Sequence, residues 1–167
     1  MKRLRVLLPV AVLLAAVLYF GYRYVWLEDD ERILHGRVDR LVELASKDGG
    51  ETAFVEASRA RDIAEHFTEE FHLDLGRPFP SGRFTRDDLT AAVVHARRNA
   101  SRLRLRVSDR RLELDGEGGR AVMELTGHGR MEGGRGEAGE ARRFRIEWVR
   151  QEGEWGIDRV ELLEVLQ

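Results

Sequence analysis

The spacing of apolar residues changes once along this chain, near residue 101, and this change strongly restricts the fold class. Before it, apolar residues recur every three or four positions, which is the period of one helix face. After it, Leu103, Leu105 and Val107 alternate with arginines, and the alternation continues over residues 120–126 and 143–148. A period of two is typical of strands with one buried and one wet face. The sequence therefore predicts an α+β fold, with helices first and an antiparallel sheet after them.

Three helices are predicted in the first half of the chain. An apolar stripe over about residues 30–47 ends at two glycines, which indicates the first helix. A second stripe over about residues 53–75 predicts the second helix and places Glu56 on its exposed side. The third is expected over about residues 86–101, because Thr85 can cap it with an acidic residue three positions later. These helices are expected to cover the apolar face of the sheet.

Residues 1–27 differ in kind from the rest of the chain and predict an N-terminal transmembrane helix. Three basic residues lead into residues 6–22, which carry no charge, and residues 6–27 contain Arg23 as their single ion. A bilayer core needs roughly 20 such residues, and aromatic rings crowd the distal end, as at a membrane interface. The rival interpretation is a cleaved signal peptide, but no small-x-small cleavage site follows Ala16. An uncleaved anchor is therefore favoured, with residues 28–167 forming one α+β domain.

The charge distribution predicts where the domain lies and which partners it avoids. Basic residues precede the apolar segment, and residues 28–31 after it are all acidic. The positive-inside rule then predicts a single-pass protein of the cell inner membrane with its C-terminal domain outside the cytoplasm. Residues 28–167 carry 24 basic and 30 acidic side chains, a net charge of −6, which disfavours nucleic acid as a partner. Because the chain has no cysteine, a lipoprotein anchor, a disulfide and a thiolate metal site are excluded.

Three segments carry a resemblance to a known family: FTRDDL at 84–89, LELDG running to GRAV at 112–122, and WVRQEGEWGI at 148–157. Together with the order of helices and strands, they resemble the nuclear transport factor two-like superfamily, which includes polyketide-cyclase-like proteins, over about residues 31–163. The resemblance implies a cone-shaped roll of about three helices packed on a curved antiparallel sheet, with a pocket between them. Members range from isomerases, dehydratases and epoxide hydrolases to pure binding modules. The family therefore implies a fold more than an activity.

The pocket implied by this resemblance is expected to be mostly apolar. Its expected lining residues are Phe67, Phe71, His95, Met123, Phe144, Ile146, Trp148 and Ile157. We expect no metal ligands and no cofactor there, and we assign no catalytic residue. A pocket of this composition can bind a molecule without transforming it.

Catalytic motifs are scarce in this sequence. All three tyrosines lie in residues 1–27, so the pocket lacks the phenol of a ketosteroid-isomerase-like site. No GxSxG, HExxH or Walker pattern occurs. His66, His95 and Asp158 are the candidate general bases, because imidazoles and carboxylates suit proton transfer near neutral pH.

Several polar features favour a structural interpretation over a functional one. On a helix, Asp62, His66 and Glu70 would share one face, where a charged surface stripe is favoured over a metal site. Residues 127–139 contain six glycines and a GxGxxG spelling, but no helix is expected after them, so a flexible hairpin loop is predicted.

Two further polar sets are predicted to lie in solvent. The wet outer face of the sheet is expected to carry Glu124, Thr126 and His128 in cross-strand polar pairs. A charge ladder on a solvated face is expected from Arg97, Arg98, Arg102, Arg104, Arg106, Arg110 and Arg111.

Two function hypotheses remain. The first is a non-catalytic interaction or small-ligand-binding module, held by the membrane through residues 6–27 and serving as an accessory of an envelope assembly. A protein partner or a second copy would then contact the sheet face that carries Arg104, Arg106, Glu124 and Arg145. The alternative hypothesis is an enzyme. It would be a small-molecule lyase, isomerase or hydrolase that uses a pocket histidine or aspartate. Convergence of two ionisable side chains inside the pocket would favour the enzyme.

Overall fold

The computed structural model describes residues 29–166 apart from 78, 80, 116–118 and 134–135. The transmembrane helix predicted over residues 1–27 lies outside the described residues. Within the described ranges, every helix is too short or too polar to span a membrane. The chain divides into two compact units, residues 1–35 and 36–167, and the second contains the whole sheet.

Three helices lie where the apolar stripes begin. The described part of helix α1 covers residues 29–45, helix α2 covers Ala53–Ala64, and helix α3 covers Arg86–Asn99. Thr85 caps α3 through a complete capping box: its hydroxyl accepts from the Asp88 amide, and the Asp88 carboxylate accepts from the Thr85 amide at 2.9 Å. This arrangement satisfies amides that the first helical turn leaves unpaired, and it confirms the predicted third helix.

A curved sheet of six strands in the order β2-β1-β6-β5-β4-β3 forms the other layer. Strand β1 pairs in parallel with β6, and every other neighbouring pair is antiparallel. The strands are β1 (Phe67–Asp74), β2 (Gly82–Thr85), β3 (Arg102–Leu114), β4 (Arg120–Gly133), β5 (Gly136–Gln151) and β6 (Glu154–Leu166). The α+β class and the antiparallel strands predicted after residue 101 are therefore confirmed.

The predicted second helix is wrong beyond residue 64. Helix α2 ends at Ala64, and Phe67–Asp74 forms strand β1 instead. Phe67 and Phe71 are four residues apart, a spacing that places side chains on one face of a helix and also on one face of a strand. Pairing with β2 and β6 selects the strand. The helix face expected to join Asp62, His66 and Glu70 consequently does not exist, because Glu70 lies in β1.

Alternation along the strands builds the apolar core. Cross-strand rows on the inner face join Ala121 to Trp148 and Trp148 to Ile157, and a second row joins Met123 to Ile146. The buried apolar side chains of the sheet are Phe67, Phe71, Ala121, Met123, Leu125, Ile146, Trp148, Trp155 and Ile157. Removing such side chains from water is the main favourable term in folding.

The glycine-rich segment is mostly strand, which corrects the predicted loop over residues 127–139. Strand β4 continues to Gly133 and β5 begins at Gly136. Glycine is depleted in strands because it packs poorly, but Gly127 lies against an aromatic ring. A Cβ atom built at Gly127 would lie 3.1 Å from Cε2 of Phe144. The absence of a side chain at this position therefore leaves room for the ring.

Two charged side chains expected in solvent are buried between the helices. Glu56 is 6 % exposed, and its carboxylate accepts a hydrogen bond of 2.5 Å from the Lys47 ammonium. Arg97 is 1 % exposed and belongs to no solvated ladder. Its guanidinium donates to the carbonyls of Leu44 at 2.9 Å and Ala45 at 3.0 Å. The predictions failed here because polarity alone does not reveal a buried partner.

Candidate ligand pocket

A cavity of about 330 Å³ lies between helix α1 and strands β3, β4 and β5. This volume is near the lower end of the roughly 300–1,000 Å³ typical of small-ligand pockets. The lining residues are Val42, Leu105, Arg106, Val107, Leu125, Gly127, His128, Gly129, Glu140, Arg142 and Phe144.

Strand alternation places two glycines on the wall of this cavity. Gly127 pairs with Val107 on one side and Arg142 on the other, and Gly129 pairs with Leu105 and Glu140. All these positions share the inner face of the sheet, since directly paired residues point to the same side. At Gly129, an added Cβ would lie 3.5 Å from Leu105. The cavity wall is therefore bare backbone at these two inward-facing positions, with the Phe144 ring against Gly127 and the Leu105 side chain against Gly129.

The outer end of the cavity carries an ion pair, and an aromatic ring outside the lining lies next to it. The Arg142 guanidinium lies 2.7 Å from the Glu140 carboxylate, and the two side chains are 21 % and 46 % exposed. The ring centroid of Phe79, from the segment between β1 and β2, is 5.7 Å from the same guanidinium. Along β5, the order from the apolar interior to the rim is therefore Phe144, Arg142, Glu140.

Arg106 and His128 reach the cavity rim from the other face of the sheet. Both are exposed, and they pair with each other across β3 and β4. The His128 ring lies 3.0 Å from the Ser108 hydroxyl. Among the described lining residues, Arg142 is therefore the cation whose side chain lies on the inner face.

Of the eight predicted pocket residues, one lines this cavity. Phe144 is that residue. His95 is exposed on α3, where its ring lies 3.1 Å from the Asn99 amide. Six others are packed into the core and are at most 9 % exposed: Phe67, Phe71, Met123, Ile146, Trp148 and Ile157. A ligand contact by these six residues stays a prediction.

Gly127, Gly129, Glu140 and Arg142 line the cavity but were not predicted as pocket residues. Arg142 precedes the predicted Phe144 by two positions, so the same alternation that turned Phe144 inward also applied to the arginine. A charged residue in an apolar row was the available signal.

The three candidate bases lie apart from the cavity. His66 is half-buried at the turn between α2 and β1, where burial, followed by the charges of Arg37 and Arg40, lowers the pKa of its imidazole. This shift favours the neutral imidazole. Asp158 lies in β6, with its carboxylate 3.5 Å from the Thr68 hydroxyl. His66, His95 and Asp158 are all absent from the cavity lining.

The outer face of the sheet carries the expected polar pairs around Glu124, but Thr126 is 5 % exposed and does not lie in solvent as predicted. The Glu124 carboxylate accepts hydrogen bonds from Arg145 at 2.8 Å and Arg143 at 3.0 Å. The hydrogen bond from Arg145 is the main reason that the pKa of Glu124 is lowered. Toward the other end of this face, Arg104 stands opposite Arg130, a like-charge pairing that is unfavourable in an isolated sheet.

Comparison with known proteins gives one family and several solved structures. The SnoaL-like domain family matches residues 35–161. No curated protein matches the chain.

The solved structures share the fold at low sequence identity. The Kfla4162 protein of Kribbella flavida is 16% identical over 81% of this chain and 90% of its own, with a TM-score of 0.66. An NTF2-like protein with a cystatin-like fold from Novosphingobium aromaticivorans is 16% identical over 86% of both chains, with a TM-score of 0.63. A protein assigned as a scytalone dehydratase, from the same organism, is 13% identical over 83% of this chain and 89% of its own, with a TM-score of 0.61. The likeness establishes the fold and leaves the activity open.

Proposed function

The chain belongs to the SnoaL-like domain family, and we propose that its domain is a non-catalytic module that binds a small, largely apolar molecule. The observation that carries this proposal is the cavity of about 330 Å³ between α1 and strands β3–β5. Apolar walls with a few polar groups at one end are typical of ligand sites. Gly127 and Gly129 line this cavity and lie on the sheet face that otherwise packs as core.

Binding is favoured over catalysis by the chemistry of the lining. Proton transfer needs a titratable group within hydrogen-bond reach of the substrate. The three predicted bases, His66, His95 and Asp158, lie outside the cavity lining, and His128 borders it from the outer face of the sheet. The Arg142 guanidinium carries hydrogen-bond donors and no acceptor. It can orient an anion or stabilise charge, but it does not act as a base.

An enzyme remains the second candidate because Glu140 and Arg142 do converge at the cavity, 2.7 Å apart. In a lyase, isomerase or hydrolase of this kind, Glu140 would replace the predicted histidine or aspartate as the base, and Arg142 would stabilise developing negative charge. The exposed position of Glu140, at 46 %, weighs against this role. Enzymes usually hold the reacting groups away from bulk water.

We also propose that residues 6–27 hold the domain at the cell inner membrane, outside the cytoplasm, as an accessory of an envelope assembly. The support is the uncharged segment with basic residues before it and acidic residues after it. The outer sheet face with Arg104, Arg106, Glu124 and Arg145 is the proposed contact surface for a protein partner or a second copy.

Filling the cavity tests the binding function. We expect Gly129→Val to weaken binding of octyl and naphthyl compounds at least tenfold, because its side chain would occupy the ligand space beside Leu105. Gly139→Val is the matched control, since Gly139 is absent from this cavity and lies on the outer side of β5. Binding is measured by calorimetry on the full-length chain in lipid nanodiscs, with empty nanodiscs as reference. Equal affinities in both variants, or no binding by the wild type, would contradict the proposal.

The anchor is tested by membrane extraction. We expect the full-length chain to stay with the membrane pellet after an alkaline wash, whereas a chain without residues 1–28 is recovered in the supernatant. Release of the full-length chain by the wash would rule out the anchor and leave the cavity proposal unaffected.

A further inference from the structure

The chemistry of the cavity's outer end points to one ligand class. We propose that the ligand is a small amphipathic monocarboxylic acid, with its carboxylate on Arg142 and its apolar part against Phe144, Leu125 and Leu105. This inference rests on the proposed binding function and specifies its ligand.

The position of Arg142 supports an anionic ligand. Its side chain is 21 % exposed and lies two positions before Phe144 on the inner face of β5. An aliphatic residue there would have continued the apolar wall, whereas a guanidinium must be partly desolvated at a free-energy cost. The Phe79 ring and the Glu140 carboxylate hold the guanidinium in place. Arg142 therefore presents a fixed positive charge next to the apolar part of the cavity.

The order of Arg142 and Glu140 along β5 also supports an anionic ligand. Arg142 lies nearer the apolar interior, and Glu140 lies nearer solvent, at 46 % exposure. A ligand whose apolar part fills the cavity therefore meets the cation before it meets the carboxylate. A guanidinium has five N–H donors, enough to hold a ligand carboxylate beside Glu140. The order favours an anionic head group over a cationic one.

The number of cations on the inner face limits the charge of the ligand's head group. Arg106 and His128 belong to the outer face, so the inner face offers a ligand one cation among the described lining residues. A phosphate monoester carries nearly two negative charges at neutral pH, and Glu140 would repel it. A single carboxylate matches the single guanidinium, which can bind it with two parallel hydrogen bonds.

Matched ligands and matched variants test this inference. Octanoate and octanamide have the same chain, but only octanoate carries a charge. We expect the wild-type full-length chain in nanodiscs to bind octanoate about tenfold to a hundredfold more tightly than octanamide, which corresponds to hydrogen bonds with a charged group. In Arg142→Met this preference should disappear, whereas Arg143→Met should keep it, because Arg143 bonds Glu124 on the outer face.

Glu140→Gln gives a test of opposite sign. Removing its charge should tighten octanoate binding severalfold and leave octanamide binding unchanged, since Glu140 no longer competes for Arg142. Binding of both compounds with equal affinity to wild type and Arg142→Met would overturn the acid proposal while supporting the cavity function. Absence of binding for both compounds would overturn both. Near-ultraviolet circular dichroism of each variant checks that the inner face stays packed.

Discussion

Lys47→Met should lower the free energy of unfolding by about 3–5 kcal/mol at pH 7, the range for removing one partner of a buried ion pair. The substitution leaves the Glu56 carboxylate buried without its cation. Lys47 and Glu56 side chains are both 8 % exposed, and the ammonium also donates to the Arg97 carbonyl at 2.8 Å. Backbone hydrogen bonds between Lys47 and Leu103 hold the lysine at this position. Guanidinium unfolding of the full-length chain, followed by circular dichroism, measures the change.

An exposed ion pair provides the matched control for this variant. Arg40 and Glu43 are 2.7 Å apart, but their side chains are 52 % and 69 % exposed. Arg40→Met should therefore cost less than about 1 kcal/mol. A double variant with Met at 47 and Leu at 56 should recover much of the lost stability, since an apolar pair replaces a buried ion pair at little cost. A Lys47→Met cost as small as that of Arg40→Met would show that the pair is not buried in solution.

Acid should close the stability gap between wild type and Lys47→Met. The hydrogen bond from Lys47, followed by the charges of Lys47 and Arg97, lowers the pKa of Glu56 in the folded protein, although burial opposes the shift. A lowered folded-state pKa contributes stability that is present above the unfolded-state pKa and is lost as pH falls through the folded-state value. Unfolding measured from pH 7 down to below the usual glutamate range should show this convergence, and a constant gap would contradict it.

Arg97→Met should cost a similar amount, about 3–5 kcal/mol. The Arg97 guanidinium binds the carbonyls at the end of α1 and also pairs with Glu51. These last carbonyls of α1 lack partners within the helix. Each buried acceptor left without a donor costs roughly 1–3 kcal/mol. The side chain therefore holds α1 and α3 together, and the loss is measured by the same unfolding experiment.

The neighbouring arginine separates burial from charge. Arg98 is exposed on α3, so Arg98→Met should change stability by no more than about 0.5 kcal/mol. Arg97→Lys should recover only part of the loss, because an ammonium cannot reproduce the planar fork of donors. If Arg97→Met and Arg98→Met proved equally mild, the helix-joining role of Arg97 would be wrong.

Local patterns in the sequence were sufficient to predict the fold class, the strands after residue 101 and the start of α3. The period of two after residue 101 predicted strands whose inner rows include Met123 and Ile146, and Thr85 predicted the start of α3. These signals succeed because each depends on neighbours within a few residues along the chain. They failed at Phe67 and Phe71, whose spacing satisfies both a helix and a strand.

Burial of charge and the shape of the cavity were decided by the tertiary structure. Lys47, Glu56 and Arg97 are ordinary polar residues in sequence, and their partners are separated from them by up to 53 positions. Gly127 and Gly129 predicted a loop, but their register against β3 and β5 places them on the inner face, where they line the cavity. Pairing between distant segments determines which charge is desolvated and which gap remains unfilled. A periodic pattern identifies which face of a strand points inward, but it does not identify what lies opposite that face.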